Sequence, residues 1–217
     1  MRAIAAVTVL LVAGCSAGPS SGASAGAIGF DDPPAPGAWL LESTGGAGPH
    51  ASWQARADAA AVSAPNVMAL VAPNHLSDDR FNLCWNPGLP FRDGRIAVAV
   101  RADGGEIDQG GGPMWRVRDP DNYYLCRWNP LESNFRVYVV TGGVRRQLAT
   151  ALVEGDRGGW HRIEVEHVGG RITCWFDGRQ LLAANDATID GPGGVGLWTK
   201  ADARTSFDDL LVQASGG

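Results

Sequence analysis

Lysine is nearly missing from this chain: of 18 basic residues, Lys200 is the one lysine. The other cations are arginines, and Ala, Gly and Pro are abundant beside them, which reads as a coding bias toward G and C rather than as function. No basic run or tail exists and the formal net charge is −5, so the cationic surface that nucleic-acid binding needs is lacking. No long stretch escapes the 30 glycines and 13 prolines, which argues against helical bundles and coiled coils. No apolar run reaches the about 20 residues of a membrane-spanning helix. Cysteine is scarce, at 4 residues, without the CxxC or His/Cys spacing of a zinc site. Gly-x-Ser-x-Gly and HExxH are also missing. What is present is a chain of 217 residues, 45% hydrophobic, with 8 tryptophans. That suits one ordinary domain, or two small ones, with a sizeable core.

The N-terminus has the pattern of an export signal. Met1 and Arg2 give a positive start, and residues 3–13 are apolar but too short to span a bilayer. The run ends in Val12-Ala13-Gly14-Cys15, which resembles the bacterial lipobox. That resemblance implies a signal peptide over residues 1–14 and a diacylglycerol on the thiol of Cys15, holding the protein at a membrane. Small and polar residues then continue to Ala27 as a flexible tether. The expected order is signal (1–14), lipidated Cys and tether (15–27), and one folded domain (28–217), in a bacterial cell envelope, facing periplasm or exterior.

Cys84, Cys126 and Cys174 all sit beside aromatic or aliphatic residues. An odd number leaves at least one free thiol. Buried thiols are the simplest reading; a Cys126–Cys174 bridge stays open.

From residue 80 onward short alternating runs recur, at Arg95–Arg101, Asn122–Trp128, Asn134–Val140, Trp160–His167 and Arg171–Phe176. Alternation of apolar and polar residues is what a half-buried strand requires. Asp93-Gly94, Gly142-Gly143, Gly169-Gly170 and Asp177-Gly178 lie between them, and such pairs close hairpins. Residues 160–184 therefore read as a three-stranded meander. Strands at this spacing predict an all-β antiparallel sandwich or barrel, and Gln54–Val62 is the one segment with room for a helix. Gly110-Gly-Gly112, just before a strand, reads as a turn allowing close backbone approach.

A more specific pattern starts at Asp108-Gln-Gly-Gly-Gly-Pro-Met-Trp-Arg-Val-Arg-Asp-Pro-Asp-Asn-Tyr-Tyr124. It runs on through Arg127, Asn129–Asn134, Arg136-Val-Tyr138, Trp160-His161, Phe176-Asp-Gly178, Gly194–Asp202 and Ser206–Leu210. This order resembles the concanavalin A-like lectin/glucanase superfamily and, within it, the bacterial 3-keto-disaccharide hydrolase domain family, with laminin G-like domains as distant relatives. The resemblance covers roughly residues 30–215. It implies a two-sheet antiparallel jelly-roll sandwich whose curved sheet meets carbohydrate on its concave face. Related modules hold a structural calcium where first and last strands meet, which here implies Asp31, Asp32, Asp208 and Asp209 as ligands; no other cofactor is expected. Glu106-Ile-Asp108 resembles the start of the Glu-x-Asp-x-x-Glu signature of retaining glucanases. Gly111 stands at its last position, so the carboxylate pair that this mechanism requires is incomplete.

Period-two arithmetic separates the strand faces. With Trp115 and Val117 inward, Arg116 and Arg118 point out. With Phe135, Val137 and Val139 inward, Asn134, Arg136 and Tyr138 point out. Tyr124, Cys126 and Trp128 oppose Tyr123, Leu125 and Arg127, and Trp198 and Lys200 share a face opposite Val195 and Leu197. The expected binding face is therefore Asp108, Gln109, Arg116, Arg127, Asn134, Arg136, Tyr138, Trp198 and Lys200. Sugars favour this mixture of planar donors, amides and an aromatic plate, and an acidic ligand would explain several arginines. His161 falls with Ile163 on the apolar side, as a packing residue. The expected function is a lipid-anchored module that recognises carbohydrate. The alternatives are a hydrolase of 3-oxo disaccharides, with no catalytic base assigned, and a protein-binding adhesion or scaffold domain.

Overall fold

The computed structural model describes residues 27–31, 37–46, 48–73 and 78–215. The signal, Cys15, most of the tether and Asp32 lie outside the described residues. The strands are β1 (Ala27–Ile28), β2 (Leu40–Thr44), β3 (Ser52–Ala57), β4 (Asn66–Ala72), β5 (Phe81–Phe91), β6 (Gly94–Gly104), β7 (Gly112–Asp119) and β8 (Asn122–Asn129). They continue as β9 (Asn134–Thr141), β10 (Val144–Leu152), β11 (His161–Val168), β12 (Arg171–Phe176), β13 (Arg179–Asn185), β14 (Gly193–Lys200) and β15 (Arg204–Ala214).

They form two antiparallel sheets. One has the order β13-β12-β11-β6-β15-β4-β3, with β1 added against β15; the other runs β10-β9-β8-β7-β14-β5-β2. The meander expected at residues 160–184 is β11-β12-β13. The core between the sheets takes alternate residues from both, among them Val98, Trp115, Trp128, Phe135, Phe176 and Phe207. A second apolar cluster comes entirely from the seven-stranded sheet, from Phe81, Leu83 and Trp85 to Tyr138 and Trp198. It is that sheet's opposite face.

Local chemistry explains the details. Gly110, Gly111 and Gly112 let β7 pass close to its neighbours: a Cβ on them would strike the carbonyls of Trp128, Trp198 and Cys126 respectively. Residues 54–57 are strand rather than helix, because Trp53 is buried and β3 pairs along its length with β4. Asp58 then turns the chain, accepting from Ala60 N at 2.9 Å. Cys84, Cys126 and Cys174 are all buried free thiols. Burial pushes the Cys126 thiol up, with Cys174 beside it. His161 packs against Trp128 and Phe176 and contacts Asp177 at 2.7 Å, the packing role expected of it.

Candidate functional site

Strands β8, β9 and β14 keep a strict period of two over their outer-facing residues, so Arg127, Asn134, Arg136, Tyr138, Trp198 and Lys200 all reach the outer face of the seven-stranded sheet. Arg127 and Arg136 are direct cross-strand partners. Asp108 joins them from the loop before β7. That loop is pinned by Asp202, whose carboxylate accepts from the backbone N–H of Glu106 at 2.6 Å, Ile107 at 3.0 Å and Asp108 at 2.9 Å. Burial alone would raise the Asp202 carboxyl; the three donations outweigh it and hold it below the usual range.

The charged groups form an alternating row. Lys200 Nζ lies 2.5 Å from Asp78 and 3.3 Å from Asp108. Arg127 Nη1 lies 3.0 Å from Asp108, and its Nη2 lies 3.0 Å from Glu132. Arg136 reaches the same Glu132 oxygen at 3.4 Å. Asn129 Nδ2 donates to Asp108 at 3.1 Å, and Asn134 Nδ2 donates to Glu132 at 2.7 Å. Arg127 and Asp108 are each 1% exposed, whereas Glu132 and Arg136 are open to solvent at 40% and 32%. Burial raises the Asp108 carboxyl, against the pull of Arg127 and Lys200. Burial opposes the charge on Arg127 too, but Asp108, Tyr138 and Glu132 together keep it up. Asn134 Oδ1 is buried without a hydrogen-bond partner.

Beside this row lies an aromatic bed. Phe81 and Trp198 are 5.3 Å apart, and Trp198 Nε1 donates to the Tyr123 hydroxyl at 3.2 Å. Arg145 lies against the bed: its guanidinium carbon is 4.6 Å from the Tyr138 ring, 4.9 Å from Phe81 and 5.7 Å from Trp198. Arg145 is on β10 and Phe81 on β5, with four strands between them in the sheet order. On a flat sheet five steps of ~4.8 Å would separate them by about 24 Å, beyond an arginine's reach. The sheet therefore curls, and this outer face is its concave side.

Three expected positions differ. Arg116 has φ 47° and the β7–β8 register shifts after Trp115, so the alternation breaks there. Val117 joins the concave cluster instead of the core between the sheets. Arg116 turns to the end of the sandwich, where it donates to the carbonyls of Arg92 at 2.7 Å, Ile189 at 2.6 Å and Gly169 at 2.9 Å. It ties loops together and is not on the concave face. Gln109 turns back on its own loop, donating to the Gly105 carbonyl at 2.8 Å. Phe81, Tyr123, Glu132 and Arg145 belong to the face but were not among the expected binding residues.

The first and last strands do meet: Ile28 pairs with Leu210. Ser63 links this corner, donating its backbone N–H and hydroxyl to Asp208 at 2.8 and 2.9 Å. Asp31 instead accepts from Asn66 N at 3.1 Å. Among the described residues no group of three His, Cys, Asp or Glu side chains is placed to hold a metal. The donors around Asp208 are N–H and O–H groups, which do not by themselves fit a calcium cage.

The architecture has counterparts among solved structures. It aligns with the carbohydrate-binding module CBM66 from Bacillus subtilis at TM-score 0.60 and 16% identity, over 80% of this chain and 93% of that one. The fold is a two-sheet jelly-roll sandwich. A Bacillus subtilis protein of unknown function with a galectin-like fold aligns at TM-score 0.54 and 12% identity, over 81% and 88% of the two chains. The GH43 protein BlXynB from Bacillus licheniformis aligns at TM-score 0.51 and 13% identity, over 84% of this chain but 37% of its own. At these identities the likeness establishes the fold, as the concanavalin A-like resemblance implied. No family model and no curated protein matches the sequence.

Proposed function

We propose that the concave face of the jelly roll is a carbohydrate-recognition surface. One observation carries this: a single curved face sets a row of planar hydrogen-bonding groups, of which Glu132 and Arg136 are open to solvent and Arg127 and Asn134 are buried behind them, beside a buried aromatic bed of Phe81, Tyr138 and Trp198 against which Arg145 lies, so that the rings meet a ligand once Arg145 moves aside. Sugar rings need both at once, polar groups for hydroxyls and an apolar plate for C–H faces. The carbohydrate-binding module with a similar fold supports the same reading. The protein acts, on this proposal, as a module held at a bacterial membrane by a lipid on Cys15, which places the face in the envelope or outside it. The calcium expected at Asp31, Asp32, Asp208 and Asp209 has no part in this recognition.

The second reading is a hydrolase of 3-oxo disaccharides, in keeping with the sequence resemblance. Its supporting observation is Asp108, a buried carboxyl in the site held above the usual range by burial, as a general acid or base can be. Against it, Asp108 is engaged by Arg127, Asn129 and Lys200, an arrangement that suits fixing cations more than moving a proton. The full-length chain, in a non-glycosidic detergent, is incubated with a glycan panel that includes 3-oxo disaccharides. Retained glycan without product supports the binding module. New monosaccharide products, read by mass spectrometry, support the hydrolase. A panel neither retained nor cleaved overturns both and leaves the adhesion reading.

A further inference from the structure

The cations of the concave face are not equivalent. Arg127, Arg136 and Lys200 are each matched to Asp108, Glu132 or Asp78. Arg145 has no such partner: none of the ion pairs or side-chain hydrogen bonds among the described residues involves its guanidinium, and its Nη1 is buried without an acceptor. Its guanidinium is held only by the ring faces of Tyr138, Phe81 and Trp198. Ring quadrupoles attract a cation, but they accept no directed N–H bond. A buried donor left unpaired is costly, and such a group in a folded protein calls for an explanation. Burial lowers the pKa of this guanidinium, with Arg127 adding to the effect, and outweighs the opposing pull of Tyr138, Asp108 and Tyr123. Arg145 also stands at the edge strand β10, so its side chain can swing from the bed without disturbing the sheet.

We propose that Arg145 reads an anionic group on the ligand, and that the carbohydrate taken by this face is acidic, carrying a carboxylate or a sulfate ester. This rests on the carbohydrate reading given above. The guanidinium fork pairs with two anionic oxygens at once. As the guanidinium leaves the rings for the anion, the sugar ring takes its place along the bed, with its hydroxyls toward the solvent-exposed Glu132 and Arg136. Arg127 and Lys200, already neutralised, contribute shape and hydrogen bonds rather than net charge.

The test uses the full-length chain in an uncharged, non-glycosidic detergent, with four probes: hexuronate oligosaccharides, the same oligosaccharides with their carboxylates methyl-esterified, sulfated oligosaccharides, and neutral ones. Affinity for a free-acid or sulfated probe should exceed that for its masked or neutral counterpart by about ten- to a hundredfold, and the ratio should shrink as salt rises. The arm that shows the preference identifies the anion. Arg145→Gln should bring the ratio close to one, and Arg145→Lys should keep part of it; thermal unfolding of each variant shows that it is folded. Equal affinity for charged and neutral probes overturns the acidic ligand and leaves the carbohydrate reading intact. A preference that survives Arg145→Gln overturns the role of Arg145. No binding to any probe overturns both readings.

Discussion

Arg127 lies midway between two carboxylates, its Nη1 3.0 Å from Asp108 and its Nη2 3.0 Å from Glu132. The two contacts differ in kind. Asp108 is withdrawn from water with its partner, while Glu132 stands at the solvent edge. The buried half fixes the loop before β7 against β8, and the exposed half leaves Glu132 and Arg136 open to solvent, with Asn134 buried behind Glu132.

Removing one member of the buried pair should therefore be costly. Arg127→Ala leaves Asp108 buried with Lys200 as its remaining cation, and the expected loss is about 3–5 kcal/mol, measured by urea unfolding. Replacing the pair together, by Arg127→Met with Asp108→Asn, should recover much of that loss. If the double variant loses as much as the sum of the two single substitutions measured separately, the pair is not coupled.

His167 makes the fold sensitive to acid. Its Nδ1 accepts from Trp115 Nε1 at 2.9 Å, so its proton sits on Nε2, which is buried without a partner. Burial, with Arg116 nearby, lowers its pKa from 6.5 to about 4. The unfolded chain therefore binds this proton more readily than the folded one. Stability from this group is complete above pH 6.5 and is lost as pH falls toward 4, by about 3 kcal/mol in all. His167→Phe should flatten that part of the stability–pH curve. A curve of unchanged slope between those limits would rule His167 out as the sensor.

Gly111 has φ 157° and no space for a Cβ, which would meet the carbonyl of Trp198. Gly111→Ala should cost at least about 2 kcal/mol, visible as a lowered Tm. An unchanged Tm would mean that β7 and β14 do not approach as described.

The proposed membrane anchor has its own test. Cys15→Ala should move the protein from the membrane to the soluble fraction of fractionated cells. Retention of this variant at the level of the parent chain would show that something other than a Cys15 lipid holds it.

The set of residues on the concave face was legible in the sequence where strands run without interruption. Along β8, β9 and β14 the period of two holds, so Arg127, Asn134, Arg136, Tyr138, Trp198 and Lys200 could be placed on one face by counting. It failed in β7 because one positive φ at Arg116 inserts a half-step, sending Val117 to one face and Arg116 to the sheet end; no residue type announces such a bulge. Arg145 was missed for a different reason. Its place over Phe81 depends on how far a seven-stranded sheet curls, and curvature is a property of the whole sheet, not of a window of sequence. Residues 54–57 were misread because the pairing of β3 with β4 overrides a local pattern with no Gly or Pro.

The central claim is that the concave face binds carbohydrate, and a glycan array probed with the full-length chain tests it most directly, with Arg136→Ala run in parallel. Arg136 is partly exposed and paired only at the solvent edge, so that variant should fold as the parent does. The account predicts retention on a related set of glycans, with a signal that Arg136→Ala weakens several-fold. A folded parent chain that no glycan retains, or retention that Arg136→Ala leaves unchanged across the whole set, would contradict it.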